Sequence, residues 1–212
     1  MSQWIFRIIY SRSGTGSKIV YVCFVGDAAG RFTTPIPIFA GTARCGRTCM
    51  DMIKIPTKGM GRDAWLEARR GTIGGSDAAT ALGLNPYSSP YALWAEKTGA
   101  IQPEDISEKE SVRLGNYLED YVAHRFSEIT GKKVRRENYI LKNQAFPWAH
   151  ANVDRLVIGE KAGLECKTTS ELNLKRFRGG EYPANYYCQC MHYMAVTGYP
   201  KWYLAVLIGN RE

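Results

Sequence analysis

Two acidic residues and a lysine in the second half of the chain have the types and spacing of a metal-dependent hydrolytic site. Glu165 and Lys167 lie on a predicted β-strand, 164–168, and Asp154 lies on the predicted strand before it, 151–158. Side chains alternate between the two faces of a strand, so Glu165 and Lys167 point the same way. A Gly-Glu-Lys turn folds the strands into a hairpin and brings Asp154 near Glu165. Carboxylates this close repel each other, and a hard cation such as Mg²⁺ relieves the repulsion.

This group of residues suits the hydrolysis of a phosphodiester. The reaction needs an in-line water, neutralisation of charge on the phosphoryl oxygens and help for the leaving oxygen, which carboxylate-bound Mg²⁺ can supply. We expect burial and nearby cations to lower the pKa of Lys167, so that it can exchange a proton with the attacking water. The alternative is a solvent-facing hairpin with an ordinary polar face, and the hairpin alone does not decide between the two.

Two predicted helices carry further polar side chains. A helical pattern over 107–130 places Glu119 on an otherwise apolar stripe. A carboxylate on such a stripe needs a partner, which could be a metal ion or a water molecule. The alternative is that Glu119 lies at the edge of the stripe and faces solvent. A second helix over 183–197 places Gln189 and Tyr193 one turn apart on the same face.

A glycine-rich turn beside a pair of arginines predicts an anion site. The predicted helix 63–70 carries Arg69 near its end, and the turn 71–76 follows it. Ser76 is expected to cap a second helix, 77–82. Glycines let the backbone approach a ligand closely, and the free N–H groups at a helix start attract phosphate. The alternative is an ordinary capped turn.

Two other segments are expected to build the core. A short helix over 86–99 offers Tyr91 and Trp94 as core anchors. The segment 201–208 is almost continuously apolar, which is typical of a strand covered on both faces.

The positive charge is concentrated away from these residues. The net charge is +8, but residues 1–59 hold 8 of the 28 Lys and Arg and 2 of the 20 Asp and Glu, so they account for +6 of it. Total charge is therefore weak support for a nucleic-acid partner. Two local basic clusters, 132–136 and 175–178, are better placed to hold the flanks of a duplex, and their contribution should fade with salt.

Taken in order, these motifs resemble the YqaJ-like viral recombinase family, relatives of lambda exonuclease in the PD-(D/E)xK nuclease superfamily. The resemblance covers residues 62–208. It rests on Trp65-x3-Arg69-x-Gly71-x-Ile73-x2-Ser76, Gly115-Asn116-x2-Glu119, Asp154, Glu165-Cys166-Lys167 and Gln189-x3-Tyr193. The implied fold is α/β (α+β), a restriction-endonuclease-like core with a central mixed β-sheet flanked by helices.

The resemblance also implies a role for each site residue. The metal would be held by the carboxylates of Glu119, Asp154 and Glu165 and by the backbone carbonyl of Cys166. Lys167 would orient or activate the attacking water, and Gln189 would support the site from its helix. Arg69 and Ser76 match positions that hold the 5′-phosphate in lambda exonuclease.

The implied function is an Mg²⁺-dependent DNA exonuclease, with Mn²⁺ as a second candidate ion, acting 5′→3′ on the ends of linear double-stranded DNA. Phage or prophage recombination, a single-strand annealing protein as partner and a homo-oligomer are implied with it. One alternative is an endonuclease of the same superfamily, and another is a non-catalytic DNA-binding protein on a nuclease scaffold. An iron–sulfur nuclease needs four cysteines, and only Cys188 and Cys190 follow the active-site strand.

The sequence also leads to expectations about the domains of the chain and the cell compartment in which the protein works. We expect residues 1–59 to be a poorly ordered or non-conforming N-terminal extension and residues 60–212 to be the exonuclease domain. The strand and helix that usually follow in the family are missing, so we expect a C-terminal truncation. Six irregularly spaced cysteines indicate a reducing cytoplasm, here that of a bacterial host. The sequence contains no run of 18 consecutive apolar residues, so it does not predict a membrane span.

Overall fold

A computed structural model describes the backbone of residues 3–9 and 20–23, and residues 52–102 and 104–209 apart from the side chains of 178–180. The strands are β1 (Gln3–Ile9), β2 (Val20–Cys23), β3 (Met52–Pro56), β4 (Val134–Arg136), β5 (Tyr139–Asn143), β6 (His150–Ala151), β7 (Arg155–Val157), β8 (Ala162–Thr169) and β9 (Lys201–Ile208). The α-helices are α1 (Arg62–Arg69), α2 (Gly75–Ala81), α3 (Pro90–Lys97), α4 (Glu110–Thr130) and α5 (Ala184–Thr197). A 3₁₀ helix spans Glu171–Gly180.

The main sheet is mixed. Its strand order is β2-β1-β9-β8-β7-β4, and β8 pairs with β9 in parallel while the other neighbours are antiparallel. The crossover between the parallel strands β8 and β9 contains α5, as parallel pairing requires. A smaller sheet has the order β3-β5-β6. The expected mixed sheet flanked by helices is confirmed.

The alternation predicted for β8 is confirmed, because its two faces meet different helices. Leu164 and Cys166 pack with Val122 and Phe126 of α4. Glu165 lies on the opposite face, where the side chain of Gln189 from α5 reaches it. The strand β9 is buried along nearly its whole length, as predicted, and contributes to the cores on both sides of the sheet.

The predicted anchors of α3 are wrong. Tyr91 is 75% exposed and Trp94 is 56% exposed, while Leu93 and Ala95 are buried. A helix this short presents one narrow stripe to the core, and size alone does not say which side chains fill it.

The predicted first strand of the hairpin is broken at the acidic residue. Strand β6 ends at Ala151 and β7 begins at Arg155, so Asp154 lies in the bend between them and not on a strand. The Gly-Glu-Lys turn and the return strand are present as expected.

Three described strands come from the first 59 residues. Strand β1 pairs with β9 and β2 pairs with β1, while β3 pairs with β5 from the predicted exonuclease domain. The division of the chain at residue 59 stays a prediction. Within the described part of the chain, no helix has the length and apolar character needed to cross a membrane.

Packing of Trp202 against β8 leaves no room for a side chain at Gly163. A Cβ atom at Gly163 would lie 2.2 Å from Cζ2 of the fully buried Trp202. We expect Gly163→Ala to lower the free energy of unfolding by about 1–3 kcal/mol, measured by urea denaturation. Gly115→Ala is the matched control, because its Cβ would meet nothing closer than 3.7 Å and should stabilise α4 by about 0.5–1 kcal/mol. Equal effects of the two substitutions would contradict this packing.

Candidate active site

The bend before β7 holds Asp154 against the backbone of β8. Its Oδ2 accepts a hydrogen bond of 2.7 Å from the N–H of Cys166. Burial raises the pKa of Asp154 well above its usual range, and the charges of Glu165 and Glu119 add to this, while Lys167 and the Cys166 N–H oppose it. Asp154 therefore lies close to Glu119 and Glu165. Its proximity to Glu165 was predicted from the hairpin.

Glu165 is the most deeply buried of the acids, with 1% of its surface exposed. Its Oε1 accepts hydrogen bonds of 2.6 Å from Gln189 Nε2 and 2.6 Å from Lys167 Nζ. Its Oε2 is buried, and no residue in the described ranges hydrogen-bonds it. Burial raises the pKa of this carboxyl, although the Lys167 charge opposes the rise. An unpartnered buried carboxylate oxygen is a position where a cation would be stabilised.

The protein's own side chains shift the pKa of Lys167 in the direction opposite to the one expected beside a metal ion. Burial by itself would lower the pKa, but the charges of Glu165 and Asp154 outweigh burial, and the pKa is raised. The expectation assumed neighbouring cations, whereas the fold surrounds the amine with carboxylates. Lys167 is therefore an ammonium group that donates hydrogen bonds and attracts negative charge.

Gln189, predicted to support the site, lies on α5 with its side chain against Glu165. Its Nε2 donates both to Glu165 Oε1 and, over 2.8 Å, to the hydroxyl of Tyr193. Gln189 is 7% exposed. The amide therefore orients the carboxylate of Glu165 and links it to the next turn of the helix.

Arg155 is a site residue that the sequence analysis missed. Its side chain is 5% exposed, and its Nη1 donates to Glu119 Oε1 and, over 2.7 Å, to the carbonyl of Asp154. Its Nη2 donates to Asp120 Oδ1. The available signal was a basic residue inside a short apolar strand directly after a candidate metal ligand. Glu119 thus has a partner, and that partner is a buried guanidinium.

The donor set suits a divalent cation, but its members are held by basic side chains. Among residues 52–102 and 104–209, no group of three or more His, Cys, Asp or Glu side chains is gathered closely enough to hold a metal ion. Arg155 engages Glu119, and Lys167 engages Glu165. The unpartnered Oε2 of Glu165 and the raised pKa of Asp154 are the features that a bound cation would satisfy. The predicted ligand set of Glu119, Asp154, Glu165 and the Cys166 carbonyl stays a prediction.

Arg69, the predicted phosphate ligand, is partly buried. Its Nε donates to Nε2 of His150 over 3.1 Å, and its guanidinium lies 4.0 Å from the ring centre of Trp65. Burial lowers the pKa of Arg69, while the charges of Asp77 and Tyr193 oppose the change. Because Tyr193 also bonds Gln189, the arginine and the acidic residues belong to neighbouring parts of one site.

Ser76 does not cap a helix. The helix α2 begins at Gly75, with Gly74 as its N-cap, and Ser76 is exposed within the first turn. The N–H of Gly74 donates to Asp77 Oδ2 over 2.8 Å, and Lys97 pairs with the same oxygen at 2.7 Å. Asp77 therefore contributes at the helix start from its third position, by accepting the N–H of the N-cap residue.

The basic cluster 132–136 is largely neutralised by acidic neighbours. Lys132 pairs with Glu160, Arg135 with Glu137 and Arg136 with Asp120, at distances of 3.0, 2.7 and 2.6 Å. A phosphate backbone would have to compete with these carboxylates. A role for this cluster, or for 175–178, in holding duplex DNA stays a prediction.

Comparison with known proteins gives a family and a curated relative. Residues 64–200 match the family model of the YqaJ-like viral recombinase domain. The protein named Uncharacterized protein YqaJ, from Bacillus subtilis (strain 168), is 49% identical over 155 residues, which are 72% of this chain and 48% of that protein. The chain therefore spans about half the length of this relative.

Two solved structures share the fold. One is the alkaline exonuclease LHK-Exo from Laribacter hongkongensis, with a TM-score of 0.56 and 19% identity, covering 71% of this chain and 76% of the other. The second is LHK-Exo in complex with dAMP, with a TM-score of 0.52 and 22% identity, covering 65% of this chain and 69% of the other.

Proposed function

This chain belongs to the family of YqaJ-like viral recombinase domains, and from that premise we propose that it is a metal-dependent DNA exonuclease acting 5′→3′ on linear double-stranded DNA. The observation that carries the proposal is the buried carboxylate of Glu165. One of its oxygens is held by Lys167 and Gln189, and the other has no partner among the described residues. A buried oxygen without a partner, beside the carboxyl group of Asp154, is a position that a divalent cation would stabilise.

The acidic residues would bind the cofactor, Mg²⁺ or Mn²⁺. Glu165 and Asp154 offer their carboxylates, the Cys166 carbonyl offers a further oxygen, and Glu119 would join by sharing or leaving Arg155. When bound, the ion would supply charge neutralisation at the phosphoryl oxygens and an activated water. Each proposed ligand is a hard oxygen donor, which matches either ion.

Lys167 would act as a fixed ammonium donor. Its raised pKa keeps it charged, so it is suited to orient the attacking water and to stabilise the charge that develops on the phosphate. Proton removal from the water then falls to another base or to solvent. Gln189 keeps the Glu165 carboxylate in the plane that this arrangement requires.

Arg69 would bind the 5′-phosphate, with the exposed hydroxyl of Ser76 as a second contact. Arginine presents a fork of N–H groups that fits phosphate oxygens. LHK-Exo has been solved in complex with dAMP, a nucleotide that carries one phosphate, and this supports a nucleotide-sized site in the shared fold.

The setting we propose is phage or prophage recombination in a bacterial cytoplasm. A single-strand annealing protein and a homo-oligomer are the partners that would accompany such an enzyme. Cys166, Cys188 and Cys190 are buried free thiols, which agrees with a reducing compartment.

The proposal is tested by comparing linear and closed-circular duplex DNA with Mg²⁺, with Mn²⁺ and with EDTA. We expect linear DNA to be degraded to mononucleotides, the circle to be spared, and EDTA to stop the reaction. The Gln189→Glu variant, which keeps the size of the side chain but adds a repelling charge, should be strongly impaired. Cleavage of the circular DNA would show instead that the protein is an endonuclease. Tight binding of DNA without cleavage would show that it is a non-catalytic DNA-binding protein.

Polarity is tested on linear duplexes labelled at one end and carrying either a 5′-phosphate or a 5′-hydroxyl. We expect degradation from the 5′ end, faster on the phosphorylated substrate. Release of nucleotides from the 3′ end would contradict the proposed direction.

A further inference from the structure

His150 is a buried imidazole outside the acidic site whose two nitrogens both have partners. The residue has 0% of its surface exposed. Its Nε2 lies 3.1 Å from Arg69 Nε, and its Nδ1 lies 2.9 Å from the hydroxyl oxygen of Thr72. The Nε of an arginine is always a donor, so the Nε2 of His150 must be the acceptor.

The hydroxyl of Thr72 fixes which nitrogen carries the proton. It donates its only hydrogen to the carbonyl oxygen of Arg69 over 3.1 Å. Thr72 must therefore accept from His150, and the imidazole proton lies on Nδ1. The three residues form a closed arrangement in which the side chain of Arg69 is held through His150 and its carbonyl through Thr72.

The surroundings of His150 keep it neutral. Burial lowers its pKa to about 3, the charges of Arg69, Lys97 and His192 act in the same direction, and Asp77 opposes them. Protonation would place a hydrogen on Nε2, facing the Arg69 donor. The acceptor is therefore present throughout the neutral pH range.

The imidazole has no freedom to move away from the arginine. The N–H of His150 donates to the carbonyl of Ile73 over 2.9 Å, and its own carbonyl is 2.8 Å from His192 Nε2. The backbone of Gly74 approaches the imidazole closely, since a Cβ atom there would lie 2.9 Å from His150 Nε2. The ring is thus held from both its backbone and its edge.

Arg69 is left with its terminal amino groups available. Its Nε is taken by His150, and the face of its guanidinium is covered by Trp65. No hydrogen bond from Nη1 or Nη2 to another residue exists within the described part of the chain. An arginine held at Nε and at one face presents its two Nη groups as a fixed fork, the geometry that binds two phosphate oxygens together.

We propose that His150, locked by Thr72 as the Nδ1–H tautomer, is a positioning residue that aims the Nη fork of Arg69 at a terminal 5′-phosphate and so sets the preference for phosphorylated ends. The inference rests on the proposed function of Arg69. It adds Thr72 and His150 as residues that make DNA binding depend on whether the 5′ end carries a phosphate, without contacting the scissile bond.

The test measures binding in EDTA, so that it is independent of catalysis. Short duplexes with a 5′-phosphate or a 5′-hydroxyl are titrated against the full chain, and the ratio of the two Kd values is compared among variants. Wild type should favour the phosphate by about tenfold or more, the usual effect of one charge-assisted bidentate contact. Thr72→Val and His150→Leu should lose most of this preference, while Thr72→Ser and His150→Gln, which retain a hydroxyl and an acceptor, should keep it.

The outcomes separate the two proposals. Wild type that prefers the phosphate but degrades no DNA would sink the exonuclease function and leave the positioning role intact. Equal Kd values for both ends in wild type, or an unchanged ratio in Thr72→Val and His150→Leu, would overturn the positioning role even in an active exonuclease. Thermal unfolding of each variant checks the fold, and the Arg69 Nε–H resonance should lose its hydrogen-bonded shift in folded His150→Leu.

Discussion

Replacing Asp154 by asparagine is expected to slow the degradation of linear duplex DNA by about a thousandfold or more while making the metal-free protein more stable. Loss of a metal-binding carboxylate removes several kcal/mol of transition-state stabilisation, and each 1.36 kcal/mol is about a factor of ten in rate. Asparagine has nearly the same shape and keeps a carbonyl oxygen that can accept the N–H of Cys166. The fold therefore has no reason to change.

The gain in stability follows from the direction of the pKa shift. The pKa of Asp154 is raised by burial and by the charges of Glu165 and Glu119, so the ionised form is disfavoured in the folded protein. The native state then binds more protons than the unfolded state, and stability is lost as the pH rises through the folded pKa. The neutral asparagine avoids this loss, so its advantage is complete above the folded pKa and vanishes below the unfolded value of about 3.9.

The measurement is urea unfolding in EDTA at pH 8 and at pH 3.5, alongside the nuclease assay. We expect Asp154→Asn to unfold at higher urea than wild type at pH 8, by about 0.5–2 kcal/mol, the range common for stabilising substitutions. The control is Asp63→Asn, which replaces an exposed carboxylate on α1. It should change neither the nuclease rate nor the unfolding free energy appreciably. Wild-type nuclease activity in Asp154→Asn would overturn the site assignment, and destabilisation at pH 8 would overturn the electrostatic account.

The second large effect is expected at Arg155, where methionine should cost about 1–3 kcal/mol of unfolding free energy in EDTA. The guanidinium is buried and binds the carboxylates of Glu119 and Asp120 as well as the carbonyl of Asp154. Methionine fills much of the same volume but leaves the carboxylate of Glu119 without its cation. Destabilisation by an uncompensated charge is therefore expected in addition to the lost hydrogen bonds.

Mg²⁺ should restore part of this stability. Arg155 supplies positive charge among the acidic residues, and a bound divalent ion would supply it in another form. We therefore expect 10 mM Mg²⁺ to raise the urea midpoint of Arg155→Met by more than it raises that of wild type. Arg136→Met removes a half-exposed partner of Asp120 and is the matched control, expected to cost less than about 1 kcal/mol.

Equal unfolding energies of Arg155→Met and Arg136→Met would contradict the role of the buried arginine. Equal responses to Mg²⁺ in wild type and Arg155→Met would show that the ion and the guanidinium do not share the same carboxylates.

Local features and the family were predictable from the amino-acid sequence. The alternation that puts Glu165 and Lys167 on one face, the burial of β9 and the pairing of Gln189 with Tyr193 are all confirmed. The family resemblance is confirmed over 64–200. These features depend on periodicities of two and about three and a half residues and on single-residue backbone preferences, which neighbours in the chain decide.

The contacts between side chains that are distant in the chain became visible in the folded protein alone. Arg155 reaches Glu119 from 36 residues away, and Arg69 reaches His150 from 81 residues away. Neither contact has a local pattern, because the first depends on how α4 packs beside β7 and the second on how α1 packs beside β6. The charges that surround Lys167 were likewise not readable from the sequence, because a pKa depends on burial and on every nearby charge, and both are set by packing across the fold.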